Sequence, residues 1–164
     1  MSGLAKNVTD LGGYADVILQ GGTINGLSNQ TTDTELQELV QHYNIKNYHG
    51  SYIDNRMPKK LKNGYYIINL NGHSHWTVLL KDGKKYYYFD SYGFPASSEI
   101  EDQIGTYIWS DVQLQDINSS SCGYVCISFM IYLQQHKDKE SAFANFSSDC
   151  ALAWVVGGYG GAVV

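Results

Sequence analysis

Charge is scarce in this sequence, and what there is leans acidic. Asp, Glu, Lys and Arg make up 16% of the 164 residues, with 11 basic against 16 acidic side chains and a net charge of −5. A nucleic-acid binder concentrates positive charge, so charge lends no support to a DNA or RNA role. Long apolar runs are missing too. None approaches the ~18 residues that a membrane-spanning helix needs. The opening MSGLAKNVTD lacks the apolar core of a secretory signal. Cysteine is sparse. Three is an odd number, so no disulfide framework is expected and a reducing compartment is the simpler reading. Cys122, Cys126 and His136 match no zinc spacing, so no metal site is expected.

Tyrosine is the residue in excess, at 14 copies. With 43% hydrophobic and 13% aromatic residues, the chain can bury a core, and its length suggests one domain over 1–164. Residues 1–30 are rich in Gly and Asn and read as loop, with a short ordered piece near Ala15–Leu19. The end, 155–164, is a Gly-rich tail expected to be flexible.

Between these ends the pattern is regular. Thr32-Asp33-Thr34-Glu35 is a capping-box pattern. Behind it Leu36, Leu39, Val40 and Tyr43 fall on one helical face, which predicts a helix over 33–43. Residues 44–64 read as irregular. YYIINL (65–70) reads as a strand. HWTVLLKDGKKYYYFD reads as two strands joined at Asp82-Gly83, a strong hairpin signal. Ser98-Glu99-Ile100-Glu101 is a second capping box, with Ile100, Ile104 and Tyr107 or Ile108 on one face. DVQLQ (111–115) alternates like a strand. Cys122 to His136 is apolar with a helical period, and a last helix is expected over 139–154. The predicted fold is α+β, with helices packed on a mixed, largely antiparallel sheet.

The second hairpin strand ends in an acid, Asp90, after a run of rings. A carboxylate in such company must be solvated, paired or used. A two-residue turn at Asp82-Gly83 would pair Lys81 with Lys84 and set His75 opposite Asp90. Opposed side chains lie close enough to hydrogen-bond. The pair is then either structural, at a sheet end, or the base and orienter of a catalytic triad. His73 shares the face of His75 and is the rival base. His42, His49 and His136 have no such partner in sequence.

A nucleophile would complete the set. Ser91, Ser119, Ser120, Ser121 and Cys122 are candidates by type. Cys122 is expected at the start of a helix, partly exposed, where unpaired backbone N–H groups favour a negative sulfur. Cys126, one turn deeper, and Cys150 read as packed structural cysteines. Gln115 precedes Cys122 by seven residues and suits an oxyanion donor together with the Cys122 N–H. Gln113 is its same-face alternative.

His75-Trp76, the run Phe89-Asp90-Ser91-Tyr92-Gly93-Phe94, Gln115, and Asn118-Ser119-Ser120-Ser121-Cys122-Gly123 stand in an order that resembles the adenain-like and SUMO-protease-like cysteine peptidases. Gly50-Ser51-Tyr52 and Arg56-Met57-Pro58 extend the likeness, which covers roughly 48–136. The seven-residue step from Gln115 to Cys122 is similar to the adenovirus type. The resemblance implies a papain-like arrangement in permuted order and a cysteine endopeptidase. Cys122 would be the nucleophile, His75 the base, Asp90 its orienter, Gln115 an oxyanion donor, and Trp76 the wall of a slot that admits Gly-Gly. It implies a maturation protease, of virophage or Polinton type, cutting capsid precursors in the virion and host cytoplasm, as a monomer. The alternatives are an isopeptidase acting on ubiquitin-like tails, and a non-catalytic capsid-associated protein of the same fold. No cofactor is expected. The activating peptide and DNA of adenovirus proteases are not carried over, because the chain is acidic and no cysteine lies between Gln115 and the hairpin to receive such a peptide. The chain's own Leu19-Gln20-Gly21-Gly22 and Val155-Val156-Gly157-Gly158 are candidate self-processing sequences.

Overall fold

Apolar runs too continuous for a half-exposed sheet explain the architecture. Tyr65, Tyr66, Ile67 and Ile68 are all buried, as are Val78, Leu79 and Leu80, and Tyr87, Tyr88 and Phe89. Successive strand residues point to opposite faces, so both faces must be covered. A computed structural model describes residues 32–70, 75–114 and 122–156, with side chains through residue 149. The readings at Ala15–Leu19, at the two Gly-Gly sequences, at the Cys150 side chain and across 157–164 lie outside what it describes.

The described elements run α1 (Asp33–His42), β1 (Tyr48–Ile53), a 3-10 turn (Asp54–Arg56), β2 (Gly64–Asn69), β3 (Trp76–Asp82), β4 (Lys85–Phe89), α2 (Ser98–Ile104), β5 (Ile108–Trp109), α3 (Cys122–Gln134) and α4 (Lys139–Val156). The sheet order is β1-β2-β3-β4-β5. The three central strands are antiparallel, and β1 and β5 join the edges in parallel. This is the expected α+β class with a mixed sheet.

One face of the sheet carries Tyr65, Ile67, Val78, Leu80, Tyr87 and Phe89, packed with Leu36 and Val40 of α1, most of α3, and Phe143 and Phe146 of α4. The other carries Tyr66, Ile68, Leu79 and Tyr88 against Ala96 and Ile100. Helix α3 is buried from Cys122 through Leu133, as an all-round apolar helix must be. Its Phe129 stacks on Phe89 at 4.5 Å and meets Phe143 and Phe146 edge-on. Such pairs add roughly 0.5–1.5 kcal/mol each beyond their buried area, and they hold α3 in place against β4.

Four local expectations are corrected. The 44–64 region contains β1, an edge strand with every residue half-buried and a register shift between Tyr48 and Ser51. It therefore shows no alternation to read. Helix α2 starts one residue earlier than its capping box implied: Ser97 is the N-cap and makes no side-chain cap bond. Tyr107 and Ile108 lie beyond that helix. Residues 111–114 of the expected DVQLQ strand are irregular, and the edge strand is the shorter Ile108–Trp109 upstream.

The fourth correction concerns the hairpin. Lys81 pairs with Tyr86, and Asp82 with Lys85. The turn is therefore Gly83-Lys84, with Gly83 at φ 65°. A glycine in the first central position is what a II′ hairpin turn favours. Asn63 Oδ1 braces it by accepting from Gly83 N at 3.0 Å and Lys81 Nζ at 3.2 Å. The register is offset by two residues from the expected one. An even offset keeps every side chain on its face.

Candidate active site

Three elements meet at one end of the sheet: the start of β3, the end of β4 and the first turn of α3. His75 immediately precedes β3. Asp90 immediately follows β4. Continued one and three steps past Val78–Phe89, the observed register sets Asp90 opposite Thr77 and Tyr92 near His75. The histidine and the acid are thus diagonal neighbours on one face rather than opposed partners. The imidazole spans the diagonal: His75 Nε2 donates to Asp90 Oδ1 at 2.7 Å. Among the described residues this is the one contact between a histidine and a carboxylate.

Asp90 answers the question its surroundings raised. Its side chain is fully buried and its Oδ1 also accepts from Tyr92 N at 2.8 Å. Gly93 N donates to Asp90 O at 2.9 Å, closing a tight turn. Gly93 has φ 80°, and a Cβ there would sit 2.7 Å from Asp111 O. No other residue fits that backbone without a shift. The turn places the Tyr92 ring flat on the imidazole, with centroids 4.0 Å apart and planes within 5°. Sequence reasoning assigned no role to Tyr92. The signal was present, because a turn at Gly83-Lys84 brings residue 92 to residue 75.

Cys122 opens α3, so its sulfur lies at the helix end where N–H groups are unpaired. Trp76 N donates to its Sγ at 3.5 Å, and Cys126 Sγ donates to Trp76 O at 3.2 Å. One turn of α3 therefore brackets the first residue of β3. Neither thiol is in a disulfide, and Cys122 is 4% exposed rather than partly open as expected. Cys126 is a core cysteine, as expected, and burial holds its pKa well above the usual thiol range.

Burial of the His75 ring pulls its pKa down. The hydrogen bond and charge of Asp90, with Cys122 as a further partner, outweigh that and raise it to about 9. The ring is therefore cationic at neutral pH. Its Nδ1 is buried and forms no hydrogen bond of ordinary geometry among the described residues, although the thiol acts on the ring. The influence of Cys122 on the ring is smaller than that of Asp90. Nε2 is thus anchored on the acid, and Nδ1 is left for the sulfur and whatever the sulfur attacks.

Trp76 lies on the opposite sheet face from His75. It packs in the core with Val78 and Leu80 at 7% exposure. It also forms one wall of a groove of about 350 Å³, shared with Thr32, Asp33, Ser51, Tyr52, Ile53 and Asn69. Trp76 is therefore a core aromatic whose edge borders an open groove. Gln115, His73 and Ser119–Ser121 lie outside the described residues. Leu114 N donates to Ser91 O at 2.8 Å, which ties Leu114 beside the Asp90 turn. Gln113 is half-buried in the irregular stretch before it. Ser91 is fully buried beneath the turn. His49 Nε2 and His136 Nδ1 bond backbone carbonyls of Asn63 and Tyr132. No group of three or more metal-ligating side chains occurs among the described residues. No family model matches the chain, and no curated protein sequence matches it.

Proposed function

We propose that this protein is a cysteine endopeptidase. The observation that carries the reading is the short His75–Asp90 hydrogen bond next to the Cys122 sulfur at a helix N-terminus. In this reading His75 Nδ1 already carries the proton given up by Cys122 when the sulfur attacks the scissile carbonyl. Asp90 holds the ring through Nε2 in the orientation this requires and stabilises its charge. The cationic ring then delivers the proton to the leaving amine, and water hydrolyses the acyl-enzyme. The Cys122 N–H and, by resemblance, Gln115 would stabilise the oxyanion. The groove beside Trp76 would take the substrate chain before the cut.

The resemblance narrows the substrate to chains cut after Gly-Gly or Gly-X. Capsid precursors of a virophage- or Polinton-type element are the proposed class. Glycines suit a tight slot because they bring no side chain and allow close backbone approach. The test is cleavage of a quenched peptide carrying Leu-Gln-Gly-Gly by the wild type and by Cys122→Ala. The expected result is turnover by the first and none by the second. Equal rates, or no turnover by a protein whose Cys122 alkylates no faster than an ordinary thiol, would defeat the proposal. Reaction with a ubiquitin-like probe at Cys122, without peptide turnover, would redirect it to an isopeptidase.

A further inference from the structure

His75 is held from two directions by a single turn. In its plane, Nε2 is bonded to Asp90 Oδ1. Across its face lies the Tyr92 ring, at 4.0 Å and nearly parallel. The Tyr92 backbone reaches the same carboxylate oxygen through its N–H at 2.8 Å. Residue 92 thus orients the acid with its main chain and covers the base with its side chain. We propose that Tyr92 is the positioning residue of the His75–Asp90 pair, its ring fixing the imidazole plane and keeping water off the Nε2–Oδ1 hydrogen bond.

The physical argument runs through rotation and solvent. An imidazole tethered at one nitrogen can still turn about its Cβ–Cγ bond. Turning would break the bond to Asp90 and swing Nδ1 away from Cys122. A flat ring stacked on one face blocks that motion, because the imidazole has to tilt into it. The same ring shields a bond whose acceptor is fully buried while the His75 side chain is 14% exposed. A hydrogen bond kept from water is electrostatically stronger. The aromatic face also favours a cation above it. The titratable groups acting on His75 are Asp90, after β4, and Cys122, at the start of α3. Tyr92 in turn meets Phe94 edge-on at 6.4 Å, and Phe94 is 51% exposed. The stack is therefore backed by a ring at the surface and not by the core. Removing it should leave the fold standing.

The inference rests on the peptidase reading for its kinetic consequence alone; the effect on His75 is separate from it. The experiment compares wild type with Tyr92→Phe, which keeps the ring face, and Tyr92→Leu, which keeps bulk without a face. The first readout is the downfield proton resonance of the His75 Nε2–H, assigned by its loss in His75→Gln. The wild type and Tyr92→Phe should show it. In Tyr92→Leu it should broaden away through exchange with water. The second readout is peptide turnover, where Tyr92→Leu should lose roughly tenfold in kcat, a modest share of what general acid–base catalysis contributes, with KM nearly unchanged. A folded Tyr92→Leu that keeps both the resonance and kcat would overturn the proposal. Should that variant unfold, Tyr92→Met replaces it, and unfolding of both would make Tyr92 a packing residue and overturn the proposal as well. If the wild type shows the expected resonance pattern but cleaves nothing, the positioning role stands and the peptidase reading falls.

Discussion

His75 Nε2 and Asp90 Oδ1 meet at 2.7 Å although the two residues are not opposed in the hairpin. The acid sits one diagonal step away, and a buried carboxylate takes the ring's proton side. Changing Asp90 to Asn keeps the shape but replaces an acceptor that binds an imidazolium with a neutral amide. Asp90→Asn should fold, lose roughly 10²-fold or more in kcat, and bring the His75 titration down from about 9. Circular dichroism, peptide turnover and imidazole NMR would check the three parts. Unchanged turnover would make the pair a structural one.

The raised His75 pKa predicts a pH window of stability. The folded value is about 9 against 6.5 for a free ring. A raised folded-state value means that the folded protein holds the proton more tightly. The stabilisation is fully present below about 6.5 and is lost as pH rises through 9. Its size is roughly 3 kcal/mol. Urea unfolding of wild type and His75→Gln from pH 6 to 10 should show a difference that shrinks across that interval. A difference that grows with pH would contradict the assignment.

The two cysteines of α3 should separate in reactivity and in stability. Cys126 is fully buried and donates to Trp76 O. Cys122 lies at the helix end beside a cationic ring. Iodoacetamide with peptide mapping should label Cys122 first and Cys126 only on unfolding. Cys122→Ala should abolish turnover and cost about 1 kcal/mol through the lost hydrogen bond from Trp76 N. Cys126→Ala should cost about 1–2 kcal/mol through lost packing and the lost hydrogen bond to Trp76 O.

Gly93 carries the turn on which Asp90 and Tyr92 depend. A methyl group there would meet Asp111 O at 2.7 Å and Asp111 C at 2.9 Å, in a backbone region L residues avoid. Gly93→Ala should destabilise by roughly 1–3 kcal/mol and should also reduce turnover beyond what the lost folded fraction explains. Thermal melts and kinetics on the folded fraction would measure both. A neutral substitution would mean that the turn yields easily and is not what holds the acid.

Much of the architecture was legible from pattern. The α1 helix, the β2 strand, both hairpin strands, α3 and α4 follow from apolar spacing, because each buries a face or a whole surface whose residues are adjacent in the chain. The half-buried edge strand β1 was not legible, since nothing alternates along it. The 111–114 segment showed strand alternation but pairs with no strand among the described residues, where β5 upstream of it takes the sheet edge. The His75–Asp90 pairing was read from a hairpin register two residues out. It survived because side chains repeat every two residues along a strand. The same error hid Tyr92, which only the true register brings over the ring.

The resemblance alone singled out Cys122 among the candidate nucleophiles; composition and local spacing were enough to say that this chain buries an aromatic α+β core and that one histidine and one acid share a strand face. Those features depend on neighbours a few residues apart or on the period of a strand. What needed the assembled fold was the set of contacts between distant segments. These are the Trp76 backbone bracketed by two thiols from α3, the Gly93 turn pressed against Asp111, and the ring stacked on His75. They arise where a strand end, a turn and a helix start are packed together, and no periodicity along the chain encodes that meeting.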